Sequence, residues 1–439
     1  MKKTLHGFVL TLLIALAVQS SLLGQNPTDS LRLQVAIDRA LSTYPMVQKA
    51  QEMVESTSIN IQMASSSYLP TLSGVASYTF IDPISALQMN NQTIHIESNH
   101  NATMGLSLNQ LIYDFGKTRS RVEVARMSKQ LANLQKEQVM QKLTMQTIES
   151  YYQIVYTRQS IAVKDRQLAD YSGLLAQTDV QKETGSATRF DYLNTSSEYH
   201  EVKTALIMLH TAKEKQYVSL SMLVDTLVND ETTLPLTFKQ IRESRSLYDL
   251  IAYALDHRIE MQIMQQEHAL AIEQRRAADR AFNPSLSAGA SAGFKNGYEP
   301  QINDLRFNYA VGASLHVPIY TGGRRGKQRG LGDMEIQKSL TSIALVKKEI
   351  TRQVADSYLS FVSAQARITQ LELQLDVSQQ AYEQAKLHYA SGAITNLELV
   401  MSANNATTSE LLLLQEQINY QIAYYQLLVA IGEGIIIDP

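Results

Sequence analysis

The sequence predicts a mainly α-helical chain with a smaller antiparallel β part, written as a tandem duplication. Three observations carry this. Two long proline-free stretches, about 118–184 and 333–391, keep the helical period, and within them apolar or tyrosine residues recur every seventh position from Ile154 to Leu175 and from Val354 to Tyr389. Four short segments alternate apolar and polar residues with the period of a strand. The second half also restates the first in fixed register, so one long unit is used twice.

The duplication is plainest at two short motifs. Gly185-Ser186-Ala187-Thr188-Arg189-Phe190-Asp191 and Gly392-Ala393-Ile394-Thr395-Asn396-Leu397-Glu398 lie 207 positions apart (392 − 185). The same spacing relates Gly105 to Gly312, Tyr113 to Tyr320, Gly116 to Gly323, Tyr151 to Tyr358 and Tyr217 to Tyr424. Before Pro70 the spacing becomes 214 (284 − 70), with Tyr68-Leu69-Pro70 answering Phe282-Asn283-Pro284. The seven-residue difference therefore lies between Pro70 and Gly105.

In chain order, residues 1–24 read as a secretory leader. Lys2 and Lys3 precede an apolar core, Phe8 to Val18, that is too short for a membrane span. Small residues follow, and cleavage falls before Ser21 or Gln25. The first repeat, 25–224, opens with a helix over 31–66 that presents Leu33, Ile37, Leu41 and Val47 on one face. Pro70 ends it. A hairpin over about 71–113 follows. Leu72, Ala76, Tyr78 and Phe80 alternate with Thr71, Ser73, Ser77 and Thr79, and a polar loop leads from Asp82 to Asn101. Then come a long helix, about 118–184, and a shorter one, about 188–224. The linker 225–246, with Pro235, looks irregular. The second repeat, 247–432, has a helix, a hairpin at about 285–318, a long helix at about 333–391 and another at about 395–432. Residues 433–439 form a tail.

In the long helices Val354, Phe361, Ile368, Leu375, Tyr382 and Tyr389 fall on strict sevens, as do Ile154, Ile161, Leu168 and Leu175. Such a stripe makes a left-handed coiled-coil seam. Sixty-odd helical residues reach about 90–100 Å. The tips joining long to short helices are capped turns. Gly185 and Gly392 end a helix by taking a left-handed φ cheaply. Thr188 and Thr395 cap the next helix, and Asp191 and Glu398 complete capping boxes, each cap worth roughly 0.5–2 kcal/mol.

Each strand has roughly 10–13 residues, the span of a tilted strand across a bilayer. A soluble sandwich would show the same alternation, so the long helices must decide. One chain supplies four strands, which cannot close a barrel, and lipid forbids an open sheet edge. Two chains would give a barrel filled by its own side chains. Three give a 12-stranded barrel with an open bore, standing on coiled-coil helices as a homotrimer.

The strand-to-helix corners read Leu111-Ile112-Tyr113-Asp114-Phe115-Gly116-Lys117 and Val317-Pro318-Ile319-Tyr320-Thr321-Gly322-Gly323-Arg324. With the tandem halves and the capped tips, they resemble the TolC-like outer-membrane efflux protein family over about 30–432. The resemblance implies an outer-membrane trimer with a transmembrane β-barrel and an α-helical tunnel through the periplasm of a Gram-negative bacterium. Such a tunnel is the passive exit duct of a tripartite efflux or type I secretion system. Its partners would be a periplasmic adaptor, an inner-membrane pump of RND or ABC type, and outer-membrane lipid. The tip residues would form the gate and adaptor contact. Relatives carry an acid six residues after the tip glycine and another nine after; here Glu398 stands at the first and Met401 at the second. The family's tip arginine, two after the glycine, is Ile394.

Other readings are blander. Glu398 and Asp191 already have work as capping acids. Gly116-Lys117-Thr118 imitates the end of a phosphate loop, but the first glycine of that motif would fall on Leu111. Arg324, Arg325, Lys327 and Arg329 suit a headgroup-facing belt, and His316 lies on the polar strand face. Tyr78, Tyr113, Tyr309 and Tyr320 fit either an interfacial girdle or a core. The formal net charge of −3 gives no reason for a nucleic-acid partner. There is no cysteine, which excludes disulfides and thiolate metal sites. No metal-binding or nucleophile pattern is present, so neither an enzyme nor a cofactor is expected. The alternative reading is a secreted coiled-coil scaffold or adhesin with a small β-domain.

Overall fold

A computed structural model describes residues 31–89, 92–235 and 243–435. The leader, the middle of the linker and the last four residues of the tail lie outside these. The elements run α1 (Leu33–Thr43), α2 (Pro45–Ser66), β1 (Thr71–Phe80), β2 (Ala86–Met89), β3 (Gln92–His95), β4 (His100–Tyr113), α3 (Lys117–Glu183) and α4 (Arg189–Val224). After the linker come α5 (Leu247–His257), α6 (Ile259–Arg280), β5 (Ser285–Lys295), β6 (Arg306–His316), α7 (Arg324–Ala390) and α8 (Asn396–Ile431).

Three expectations need correction. The single helix over 31–66 is two, parted at Tyr44 (φ −69°, ψ 126°). Pro45 explains this, because proline suits a first helical position and pushes the residue before it out of the α region. The second half breaks at the matching Arg258 (φ −69°, ψ 136°), where no proline stands. Here the accompanying constraint is tertiary. The backbone of Arg258 lies so close to Gly432 that a Cβ there would sit 2.9 Å from the Arg258 Cα. Second, α7 starts at Arg324 rather than near 333. Gly326, Gly330 and Gly332 weaken the helical signal, but at Gly332 the missing side chain makes room for Arg275, whose Cγ would lie 2.5 Å from an added Cβ. Third, the polar loop between 82 and 101 holds a short hairpin of its own, β2 with β3.

Two compact units emerge, and neither is a sequence half. Among the described residues, one comprises 31–48, 138–235, 243–258 and 349–435; the other comprises 49–89, 92–137 and 259–348. The second unit carries a four-stranded antiparallel sheet in the order β1-β4-β5-β6. Directly opposed residues share a face, so the register propagates the alternation from strand to strand. Leu72 pairs with Leu108, Met104 with Phe294, and Phe294 with Phe307. That face also carries Tyr78, Phe80, Leu106, Tyr309, Val311 and Leu315, all exposed. The other face is polar: Ser73 pairs with Ser107, Ser107 with Ser291, and Ser287 with Ser314. His316 sits there too, opposite Ser285. Gly105 and Gly293 oppose each other on this face. A Cβ at Gly293 would meet the Met104 carbonyl oxygen at 2.2 Å, so only glycine allows this approach. Asn296, buried, ties the β5–β6 loop to β4 by accepting from the Ala102 N–H at 2.7 Å.

In the other unit the heptad stripe faces inward. Ile154, Ile161, Val354 and Phe361 are buried, and Leu168, Leu175, Ile368, Leu375, Tyr382 and Tyr389 are half-buried. Phe361 stacks on Tyr420 with ring centroids 5.0 Å apart. The linker is not loose where it is described. Arg158 on α3 donates to the Asn229 carbonyl (2.7 Å), the Thr232 carbonyl (2.8 Å) and the Tyr217 hydroxyl (2.7 Å). Lys213 grips both carboxylate oxygens of Asp230 at 2.6 and 2.8 Å. Among the described residues no helix is long and apolar enough to cross a membrane.

Candidate functional site

The two tips are built alike. At the end of α3 the Ser186 N–H donates to the Gln181 carbonyl at 2.8 Å, and at the end of α7 the Ala393 N–H donates to the His388 carbonyl at 2.8 Å. Gly185 and Gly392 sit between these partners with φ of 77° and 74°, closing the helices in Schellman fashion. The capping boxes then start α4 and α8. The Asp191 N–H donates to Thr188 Oγ1 at 3.1 Å, and Asp191 Oδ2 accepts from the Thr188 N–H at 2.9 Å. The Glu398 N–H donates to Thr395 Oγ1 at 3.3 Å, while Glu398 Oε2 accepts from the Thr395 N–H at 2.7 Å and its hydroxyl at 2.8 Å. Those bonds, the backbone one first, hold the Glu398 carboxyl below its ordinary range.

The tips are joined by polar residues that the sequence reading did not single out. Asn396 Nδ2 donates to Thr195 Oγ1 at 3.0 Å, and both residues are buried. Further back, Asn404 on α8 is a hub. It accepts from the Tyr171 hydroxyl and from Gln167, each at 2.8 Å, and donates to Glu198 at 2.9 Å. Tyr389 donates to Gln181 at 3.1 Å and Tyr382 to Asp170 at 3.2 Å. Burial raises the Tyr171 and Tyr382 pKa values, so both phenols stay protonated donors. The one sequence signal for this network was negative: Thr195, Asn396 and Asn404 interrupt otherwise apolar helical faces. At the tips themselves, Phe190, Leu193, Leu397 and Met401 are exposed apolar residues.

At the corners two consecutive left-handed residues turn strand into helix: Phe115 (φ 53°) with Gly116 (φ 87°), and Gly322 (φ 62°) with Gly323 (φ 72°). Phe115 occupies a conformation that costs a non-glycine residue about 1–2 kcal/mol. Asp114 offsets that by capping α3, its two oxygens accepting from the Gly116 N–H (3.0 Å) and the Thr118 N–H (2.7 Å). Burial pushes its pKa up, but bonds from Thr118, Gly116 and Lys117 outweigh this and hold the carboxyl below its ordinary value. Those amides are therefore occupied, which removes the phosphate-loop reading of Gly116, Lys117 and Thr118. Tyr113 packs edge-on to Phe115 at 4.7 Å. Tyr113 and Tyr320 are exposed, as are Tyr78 and Tyr309, and none serves as core within the chain. Past Pro318 and Arg324, the basic run is half neutralised, with Arg325 and Arg329 both paired to Asp279 at 3.2 and 2.7 Å. Among the described residues no group of three His, Asp or Glu could hold a metal ion.

A family model described as outer membrane efflux protein matches residues 36–224 and 250–433, one segment on each side of the linker. The outer membrane efflux protein BepC of Brucella suis is 22% identical over 379 residues, covering 85% of this chain and 79% of that protein. The alkaline protease secretion protein AprF of Pseudomonas aeruginosa is 26% identical over 308 residues, covering 67% and 62%. In fold, the chain is similar to the CmeC outer membrane channel of Campylobacter jejuni, with a TM-score of 0.76 at 15% identity, over 91% of this chain and 85% of that one.

Proposed function

The chain belongs to the outer membrane efflux protein family, and from that premise we propose that three copies close one outer-membrane barrel that continues through the periplasm as a helical tunnel. The observation that carries this is the two-faced sheet. Its strands have bilayer length, one face is mostly apolar with His100 and Gln110 near the two ends of β4, the opposite face is mostly polar, and β1 and β6 end it with unpaired edges. Lipid cannot satisfy those edges, so further strands must. Three chains supply twelve, enough for a water-filled bore lined by the polar face.

The duct carries out no reaction. It offers a polar path, and a pump of RND or ABC type in the inner membrane supplies the energy. The tips at Gly185–Asp191 and Gly392–Glu398 form the far end of the tunnel, where a periplasmic adaptor docks. Three copies of Glu398 at that end repel one another and favour cations. Membership in this family also decides against the secreted scaffold.

Purified in detergent and fused into planar bilayers, the protein should conduct ions as a trimer. A monomer that stays dispersed in plain buffer and leaves the bilayer silent would end the reading. In the conducting protein, Glu398→Gln should lower cation preference. Unchanged selectivity would remove Glu398 from the constriction and leave the duct standing.

A further inference from the structure

The duplication sets the register between copies. Its two offsets are structural as well as textual. Adding 214 to a β1 residue and 207 to a β4 residue carries the first hairpin onto the second. The pair Thr71↔Asn109 becomes Ser285↔His316, and Ser77↔Thr103 becomes Ser291↔Ala310, both of which are observed. One pairing within the chain joins the two halves, β4 with β5. Carrying it forward takes β4 to β6, and takes β5 back to a β1 that lies on another copy.

We propose that β6 of each copy pairs with β1 of the next copy in the β4–β5 register, with Ser314 opposite Ser77 of the neighbouring copy. The proposal rests on the trimeric reading above and deepens it. The same operation sets Val311 against the neighbouring copy's Phe80, Ala313 against its Tyr78 and Leu315 against its Ala76, the images of Met104↔Phe294, Leu106↔Ala292 and Leu108↔Ala290. Every one of these is apolar opposite apolar, while Ser314 and Ser77 both belong to the polar face. A slip of one residue would turn each pair onto opposite faces, so this agreement is a test that the register passes. Gly312, the image of Gly105, has nothing within 4 Å of an added Cβ in the single chain. In the proposed pair it faces the neighbouring copy's Thr79, and its bare Cα leaves room for that side chain.

The helices support the operation independently. Tyr152 on α3 packs against Tyr425 on α8 at 6.2 Å, and the two are only 5% and 7% exposed. Their images are Leu359 on α7 and Val218 on α4, which are 59% and 61% exposed. Two apolar side chains thus lie open in the single chain where their counterparts are covered. A neighbouring copy placed by the same operation brings Leu359 of one copy onto Val218 of the next. Such a contact runs head to tail, the kind that a closed ring of three copies needs.

The natural chain has no cysteine, so disulfide trapping reads one pair at a time. Ser314→Cys combined with Ser77→Cys should give a covalent trimer on mild oxidation, seen without reductant in a denaturing gel. Neither single variant should. Ser314→Cys with Thr79→Cys, or with Val75→Cys, places the residues diagonally, about 7–8 Å apart, and should trap poorly. Trapping mainly through a diagonal pair would overturn the register while leaving the trimer. A trimer that no pair can trap would overturn β6–β1 pairing. A protein with no associated copies in detergent would overturn the duct itself.

Discussion

Arg158 is the place where a single substitution should release a segment that the fold has tied down. Its guanidinium makes three charge-assisted donations, two of them to linker carbonyls at Asn229 and Thr232 and one to the Tyr217 hydroxyl. A hydrogen bond to a charged group contributes about 1.5–3 kcal/mol. The three share one donor group and are not additive, so Arg158→Ala should lower the local opening free energy of the linker by about 3 kcal/mol. At about 1.4 kcal/mol per decade that is roughly a hundredfold faster opening. Arg158→Lys keeps the charge but loses the planar fork, and should cost about half as much. Hydrogen exchange followed by mass spectrometry reads this directly. The protected amides are Val228, bonded to Ser221 Oγ at 2.9 Å, Glu231, bonded to Asn229 Oδ1 at 3.0 Å, and Thr232, bonded to the Asn229 carbonyl at 3.1 Å. A peptide covering 225–235 whose exchange is unchanged in a still-associated Arg158→Ala protein would refute the reasoning.

Three further outcomes are expected. The Asp230 carboxyl is held below its ordinary value of 3.8 by hydrogen bonds from Lys213 and then Tyr217. Its contribution to holding the linker is therefore complete above that value and is lost only as pH falls through the lower folded value. Linker exchange, corrected for intrinsic rate, should stay flat from about pH 7 to 5, and loosening within that range would assign the clamp to another group. Gly293→Ala places a Cβ 2.2 Å from the Met104 carbonyl oxygen and should abolish heat-resistant association in gels; Gly289→Ala, with 3.5 Å to the Leu108 oxygen, should be tolerated. Equal behaviour of the two would show that the β4–β5 approach is looser than described. Phe361→Ala empties a site that is 1% exposed beneath Tyr420 and should cost about 3–5 kcal/mol. A melting temperature unmoved from the parent would show that this side chain is not core.

What could be read from residues alone was what neighbours in the chain decide. A capping box spans four residues, so Thr188 with Asp191 and Thr395 with Glu398 announced their hydrogen bonds in advance. The strands declared two faces because side chains alternate. The stripe through Ile154 and Val354 declared an inward seam because its period is seven. The repeat announced itself because its offset holds over most of the chain. Misses occurred where a local signal was weak or pointed the wrong way. Glycines hid the first turns of α7, and Pro45 was passed over inside a helical pattern.

By itself, then, the amino-acid order determined the duplicated plan, the capped tips, the corners and the two unlike faces of the sheet. Each of these follows from φ preference, side-chain periodicity or a bond spanning a few residues. The tertiary structure alone decided that the compact units cut across the repeats, that Arg158 fastens the linker, that Gly432 lies against the break at Arg258, and that Asn404 gathers Tyr171, Gln167 and Glu198. Those arrangements join residues from tens to more than two hundred positions apart. Hydrogen bonds and close contacts act over only about 3–4 Å, so no pattern along the chain can announce them until folding brings their partners together.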